Sequence, residues 1–140
     1  MTTYKPEDLQ LLNELRDAVA KNAEEHGFRD QYRKLMTPEQ WDGILGATVR
    51  AAIYTSNQHA ESSEFWEAFR AGKLNEPCDK AAKMAALGLP VLTAAEEEIA
   101  DEIIRALDKA EAHKADAAKA VAVKMAYNAS RPFLHGGKLA

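Results

Sequence analysis

Residues 38–71, PEQWDGILGATVRAAIYTSNQHAESSEFWEAFRA, decide the fold. A proline follows Thr37, and Gln40 lies three positions after that threonine, which predicts a capping box at a helix start. The stretch predicts a helix of about 34 residues, roughly 50 Å long, with a kink or break near Gly43 and Gly46. Aromatic and aliphatic residues fall on two nearly opposite sides of it. We therefore expect a surrounding bundle or a second subunit to cover both sides.

The rest of the chain shows the same helical periodicity and helix-start signals. A second capping box begins at Thr93, with Glu96 three residues later. No alternating β-branched run occurs, so we expect one all-α domain over residues 1–140, a bundle of four to five helices. Besides the long helix, the expected segments are helices at 6–26, 78–87, 93–113 and 116–128, a polar connector at 28–36 and a non-helical tail at 129–140.

Composition excludes several classes of function. The chain has 22 acidic and 18 basic residues, a net charge of −4, so it lacks the basic surface that a nucleic-acid binder needs. Cys78 is the single cysteine, which excludes an intrachain disulfide and a thiolate zinc cluster. The first residues lack a signal-peptide layout, and no apolar run is long enough to span a membrane. We expect a soluble cytoplasmic protein without membrane or nucleic-acid partners. A nucleotide is still an allowed ligand, because a metal ion can bridge acidic side chains and phosphate.

Two acidic pairs lie in predicted helices. Glu61 and Glu64 form the earlier pair, and Glu98 and Asp101 form the later pair. Spacing of three places both carboxylates of a pair on one helix face. If the two helices pack antiparallel, all four carboxylates can point into one pocket. Oxygen ligands of this kind suit Mg²⁺.

A less specific interpretation exists for each pair, because a few such pairs are expected by chance in so acidic a chain. For the later pair, the simplest interpretation is a solvated face opposite an apolar stripe of Ile99, Ile103, Ala106 and Leu107. The earlier pair lies on the same side as Tyr54 and Phe65. A carboxylate among aromatic rings is costly unless it is paired or bound to metal.

The end of the chain carries a third candidate group. Lys124 and Asn128 are four residues apart on one helix face, and Arg131 follows the helix. An ammonium, an amide and a guanidinium that converge there would suit phosphate oxygens. Basic residues that complement the dipole of a C-terminal helix are the alternative.

Four short segments, in this order, resemble the MazG-like family of all-α nucleoside triphosphate pyrophosphohydrolases. They are ESSEFWEAFRAG, PCDK, LTAAEEEIADEIIRALD and KMAYNASRPFLHGGK, and the resemblance covers about residues 59–138. It is closest to the small single-domain members from phages and bacteria. The resemblance implies a MazG-like bundle and a homodimer or homotetramer.

The resemblance also implies a reaction and a set of site residues. Glu61, Glu64, Glu98 and Asp101 match the acids that hold Mg²⁺, for which Mn²⁺ is a possible substitute. Lys124 and Asn128 match the phosphate-binding residues, and Arg131 is a further candidate; His135 and Lys138 have no assigned role. The implied reaction is hydrolysis of a nucleoside or deoxynucleoside triphosphate between the α and β phosphates.

Three questions stay open on sequence alone. Glu102 stands where similar chains more often have an aliphatic residue, so the ligand set on that helix is not fixed. The substrate could be another phosphoanhydride, such as a signalling nucleotide. A non-catalytic helical module that binds a nucleotide or a partner chain is the alternative function.

Overall fold

The computed structural model describes residues 3–132. Within that range the chain is helical, apart from turns and one isolated bridge, so the all-α prediction is confirmed. The elements are a 3₁₀-helix at Pro6–Leu9 and α-helices α1 (Leu11–Glu25), α2 (Asp30–Arg33), α3 (Pro38–Asp42), α4 (Ile44–Arg70), α5 (Ala81–Ala86), α6 (Ala94–Ala112) and α7 (Ala117–Ala129).

The predicted capping boxes form. Thr37 Oγ1 accepts a hydrogen bond from the backbone N–H of Gln40 at 3.1 Å. Thr93 Oγ1 accepts one from the backbone N–H of Glu96 at 3.2 Å. Gly27 follows α1 with a φ of 73°, the left-handed conformation that ends a helix and that glycine adopts without strain. Local sequence therefore sets where α1, α3 and α6 begin or end.

The predicted 34-residue helix is divided into α3 and α4, so its predicted length was wrong. The break falls at Gly43, whose backbone is extended, in the region where glycines weaken the helix. At the corner Gly46 faces Trp41 so closely that an added Cβ would lie 1.9 Å from the Trp41 carbonyl oxygen. Arg50 Nη1 donates to the same oxygen at 2.8 Å. The connector at 28–36 also contains a helical turn, α2.

The bundle is built around α6, which packs on both α4 and α1. Helix α7 packs on the 3₁₀-helix and on α1. Asn13, in the first turn of α1, accepts hydrogen bonds at Oδ1 from the backbone N–H groups of Ala117 (2.8 Å) and Ala118 (3.2 Å). Arg16 Nη1 donates to the Ala115 carbonyl at 2.7 Å. The start of α1 therefore fixes the start of α7.

The segment between α4 and α6 is tied to the beginning of α6. Pro77 and Thr93 form an antiparallel bridge, and the backbone N–H of Cys78 donates to the Leu92 carbonyl at 2.9 Å. Lys80 reaches Glu97 on α6 and forms an ion pair with it. The segment thus supplies a positive charge beside the acidic end of α6.

Arg29 links the segment before α2 to α4 and α6. Its guanidinium forms ion pairs of 2.5 Å each with Asp108 and Glu111, and it lies 6.0 Å from the centre of the Tyr54 ring. Although burial opposes the charge, the hydrogen bonds to the two carboxylates raise the pKa of Arg29. This buried guanidinium holds three parts of the chain together.

The expected polarity of α6 is reversed. Ile103 is 53% exposed and Ile99 is also exposed, whereas Glu97 is 6% exposed and Asp108 is buried. Only Leu107 of the predicted apolar stripe is buried. The interpretation of the acidic side of α6 as a solvated face is therefore wrong, because that side faces α4 and α1.

Among residues 3–132, helix α4 is covered on one side only. The side that carries Tyr54, Glu61 and Phe65 is buried or half-buried, while Leu45 and Trp66 on the other side are exposed. Among the described residues no large side chain is fully buried. The buried apolar residues are Ala20, Ala23, Cys78, Leu107, Ala117, Ala118 and Ala122. No helix in the part of the chain described combines the length and apolarity that crossing a bilayer requires.

Gly46→Ala should lower the free energy of unfolding by about 1–3 kcal/mol, because the new methyl group overlaps the Trp41 carbonyl. Glycine to alanine inside an ordinary helix has the opposite sign and stabilises by about 0.5–1 kcal/mol. Urea denaturation measures the change, and Ala47→Gly, at the next position of α4, reports the propensity effect alone. A stabilised Gly46→Ala protein would show that α3 and α4 do not meet at this corner.

Arg29→Met should lower the free energy of unfolding by about 3–5 kcal/mol, since it leaves the buried Asp108 and the half-buried Glu111 without their cation. Arg70→Met removes an exposed arginine paired with Glu67 and should cost no more than about 0.5 kcal/mol. Chemical denaturation at pH 7 compares the two variants. Equal losses would mean that the Arg29 ion pairs do not hold the fold together.

Candidate metal centre and adjoining cavity

Three of the four predicted carboxylates meet between α4 and α6. Glu61, Glu64 and Glu98 each offer one oxygen, and these oxygens lie within 4.8 Å of one another. Glu61 and Glu64 are one turn apart on α4, and Glu98 lies near the start of α6. Oxygen ligands lie about 2.0–2.6 Å from an ion such as Mg²⁺ or Ca²⁺. Oxygens separated by no more than 4.8 Å can therefore bind the same ion. The group can therefore hold a metal ion.

An oxygen without a partner gives a second indication. Glu98 Oε2 is buried and has no hydrogen-bond partner among the described residues. A buried carboxylate oxygen left unsatisfied costs more than a lost neutral hydrogen bond. Glu61 is buried too, while Glu64 lies at the exposed edge of the group. An all-oxygen set of this charge fits a hard divalent cation, which would supply the missing partner of Glu98.

The carboxylates raise one another's affinity for protons. Burial, and then the charges of Glu64, Glu97 and Asp101, raise the pKa of Glu98 to about 7. Burial and the charge of Glu61 raise the pKa of Glu64. Without a cation, the group thus retains a proton close to neutral pH. A divalent cation would displace that proton.

Asp101, the fourth predicted acid, lies beside the group and is not one of its three members. It lines a cavity together with Glu61. Burial and then the charge of Glu61 raise the pKa of Asp101. Glu102 belongs neither to the three-carboxylate group nor to the lining of this cavity.

Arg105 is the cation that the structure places against this group. Its Nε donates to Glu61 Oε1 at 2.9 Å. No role for Arg105 was predicted from the sequence. Its position four residues after Asp101 and seven after Glu98 could have indicated this, since such spacings share a helix face.

A cavity of about 460 Å³ adjoins the carboxylates. One wall comes from α1 and the residues just after it, and the other comes from α4 and α6. Sequence reasoning missed the α1 wall, because its apolar residues have the ordinary pattern of a core-facing helix. The lining residues are Leu15, Ala18, Val19, Asn22, Ala23, Phe28, Glu61, Asp101, Ile104, Arg105 and Asp108.

A smaller cavity of about 150 Å³ lies next to the first and shares three lining residues with it, Phe28, Arg105 and Asp108. Arg29, Gln31, Tyr54 and Asn57 make it more polar, with Ile53 as its further apolar residue. Arg105 and Asp108 therefore stand where the two cavities meet.

The predicted phosphate-binding residues lie elsewhere on the surface. Lys124 and Asn128 line a shallow depression whose residues all belong to α7. The Lys124 ammonium lies 4.9 Å and the Arg131 guanidinium 5.8 Å from the centre of the Tyr127 ring. The three residues therefore share the end of α7 and do not line the cavity beside the carboxylates. Their contact with phosphate stays a prediction, and His135 and Lys138 lie outside the described residues.

No family model, no curated protein and no solved structure matches this chain.

The raised pKa of Glu98 predicts how metal-free stability depends on pH. Its folded-state pKa of about 7 exceeds its ordinary value of 4.5, so the folded state binds the proton more tightly than the unfolded state. The free energy of unfolding should therefore fall by about 1–3 kcal/mol as the pH rises from 4.5 to about 7. Added Mg²⁺ or Mn²⁺ should restore stability, most strongly above neutral pH.

Thermal unfolding in a chelator and with metal, across this pH range, measures both effects. Glu98→Gln should flatten the pH dependence and abolish the metal effect. Glu102 is a neighbouring acid outside the group, so Glu102→Gln should keep both the pH dependence and the stabilisation by metal. A Glu98→Gln protein that metal still stabilises as strongly as the parent would exclude the site.

Proposed function

We propose that the protein is a MazG-like nucleoside triphosphate pyrophosphohydrolase that requires Mg²⁺. It hydrolyses a nucleoside or deoxynucleoside triphosphate between the α and β phosphates, giving the monophosphate and pyrophosphate. The observation that carries the proposal is the convergence of Glu61, Glu64 and Glu98, with one buried oxygen unpartnered, at the edge of a cavity. The cavity volume of about 460 Å³ is within the usual range for small-molecule sites.

The two ends of the site suit different parts of a nucleotide. Leu15, Val19 and Ile104 offer apolar surface to a base and sugar. Carboxylates repel phosphate unless a cation lies between them, so the triphosphate would lie at the metal end. The nucleoside thus occupies the cavity, and its phosphates extend toward the carboxylates.

In the proposed reaction, a water oxygen attacks the α-phosphorus and forms a new P–O bond. The bond from the α-phosphorus to the oxygen that bridges it to the β-phosphorus breaks, and pyrophosphate leaves with the electron pair. A carboxylate of the group accepts the proton of the water. Mg²⁺, when bound, offsets the charge on the attacking and leaving oxygens. Lys124, Asn128 and Arg131 are proposed contacts of the phosphates on the family resemblance alone, because Lys124 and Asn128 line a separate depression on α7.

A second copy of the chain is the proposed partner, in a homodimer or homotetramer. The support is the small, alanine-rich core and the apolar residues that are exposed in the described part of the chain. Trp66 is 56% exposed on α4, and Ile99 and Ile103 are exposed on α6. A self-complementary contact between copies would cover these surfaces. Cytoplasmic location is also proposed, in keeping with a single cysteine that is free.

Pyrophosphate release from a panel of nucleotides, with Mg²⁺ and with chelator, tests the proposed activity. Glu64→Gln should lower kcat/KM by about 100-fold or more, because it removes one charged ligand of the Mg²⁺ that would offset charge on the reacting phosphate. Asp101→Asn should also lower it, while both substitutions nearly preserve side-chain size. Glu67→Gln, one turn along α4 and exposed, is the matched control and should keep full activity.

Full activity of Glu64→Gln would remove the proposed role of the carboxylates. If the parent protein released no pyrophosphate from any nucleotide, and Mg²⁺ gave it no thermal stabilisation, the helical binding module would be the better description. If the protein turned over only a signalling nucleotide, the proposed reaction would stand and the proposed substrate would be replaced.

A further inference from the structure

Arg105 stands at the boundary between the carboxylates and the cavity. Its Nε donates to Glu61 Oε1 at 2.9 Å, and its side chain is 40% exposed. It lines both the larger and the smaller cavity. One guanidinium therefore touches a member of the metal-binding group and faces the space where a ligand would lie.

The guanidinium has unused hydrogen-bond donors. Arginine carries five N–H donors, four of them on its two terminal nitrogens. Within residues 3–132, Nε is the only atom of the Arg105 guanidinium with a hydrogen-bond partner. Arg29 shows the opposite arrangement, since its terminal nitrogens donate to Asp108 and Glu111. Arg29 is thus neutralised inside the protein, whereas Arg105 has donors available for a ligand.

Charge balance at the site leads to the same conclusion. Arg105 has one carboxylate partner, Glu61, and that carboxylate also belongs to the candidate metal site. A divalent cation on Glu61 would take over much of the negative charge that now compensates Arg105. The guanidinium then needs another anion beside it. A ligand phosphate that bridges the cation and the cavity would provide that anion.

We propose that the terminal nitrogens of Arg105 bind the α-phosphate of the substrate. This inference rests on the proposed function. With the nucleoside in the cavity and the cation at the carboxylates, the phosphate joined to the sugar must lie between them, where Arg105 is. The planar guanidinium can donate two parallel hydrogen bonds to phosphate oxygens. Arg105 is then a substrate-binding residue.

The alternative is a purely structural arginine that only compensates Glu61. The two roles differ in the ligands that they affect. An α-phosphate contact is present with the nucleoside monophosphate as well as with the triphosphate, but it is absent with inorganic pyrophosphate. A structural role acts through Glu61 and would change metal binding, and with it the binding of every phosphate ligand.

Isothermal titration calorimetry of the full chain separates these roles. The probes are Mn²⁺ alone, pyrophosphate with Mn²⁺, and the monophosphates and non-hydrolysable α,β-methylene triphosphates of the four common deoxynucleosides with Mn²⁺. Arg105→Gln should weaken both kinds of nucleotide by about tenfold to a hundredfold. Its affinity for Mn²⁺ alone and for pyrophosphate should stay within about threefold of the parent value.

Two further variants make the result decisive. Arg105→Lys keeps a positive charge beside Glu61 but loses the paired donors, so it should bind Mn²⁺ normally and nucleotides more weakly than the parent. It serves as the test if Arg105→Gln does not fold. Arg70→Gln removes the same charge from an exposed position on α4, and it should change none of the affinities.

Unchanged affinity for the monophosphates in both Arg105 variants would overturn the inference. So would a parallel loss of Mn²⁺, pyrophosphate and nucleotide binding, since that pattern belongs to a structural role. Failure of the proposed function gives a different result, because the parent protein itself would then release no pyrophosphate from any nucleotide of the panel, whatever the Arg105 variants bind.

Discussion

Charges buried between α4 and α6 are the constraint on which the rest of the structure depends. The inward side of α6 carries Glu97, Glu98, Asp101 and Asp108. An unpaired charge in such a place costs several kcal/mol, so each carboxylate needs a cation or a proton. Lys80 forms an ion pair with Glu97, and Arg29 forms one with Asp108. The position of the segments before α2 and after α4 follows from this requirement, since each brings its cation to α6.

The compensation is incomplete at one place. Arg105 reaches Glu61, but Glu98 retains a buried oxygen without a partner, and the proton that it holds near pH 7 is a weak substitute for a cation. The incomplete place coincides with the edge of the larger cavity. A fold that pairs Glu97 and Asp108 with cations, but leaves an oxygen of Glu98 without a partner, is suited to a ligand that brings positive charge to this place.

Local features of the fold could be predicted from sequence, and features that depend on contacts between distant segments could not. The capping boxes at Thr37 and Thr93 and the helix end at Gly27 are short-range signals, and all three are confirmed. The division of the long helix could be placed near Gly43 and Gly46 but not decided, because it depends on how Trp41 packs at the corner.

The solvated-face interpretation of α6 failed because its apolar residues form a regular stripe, and a stripe normally faces the core. In this chain the ion pairs with Lys80 and Arg29 come from segments far away in sequence. The meeting of Glu61, Glu64 and Glu98 was predictable, since spacing alone put the carboxylates on single faces of two helices. The wall contributed by α1 carries no sequence signal that separates a site residue from an ordinary core residue. For Arg105 the only signal is its spacing from Glu98 and Asp101 on the same helix face.

Helix α1 contacts α7 with its first turn and lines the larger cavity further along. Its first turn holds the start of α7 through Asn13, while Leu15, Val19 and Ala23 further along form a wall of the cavity. A helix moves nearly as a rigid rod, so widening the cavity by tilting α1 would pull on the anchor of α7. A displacement of α1 would therefore also displace the start of α7, the helix that bears Lys124 and Asn128.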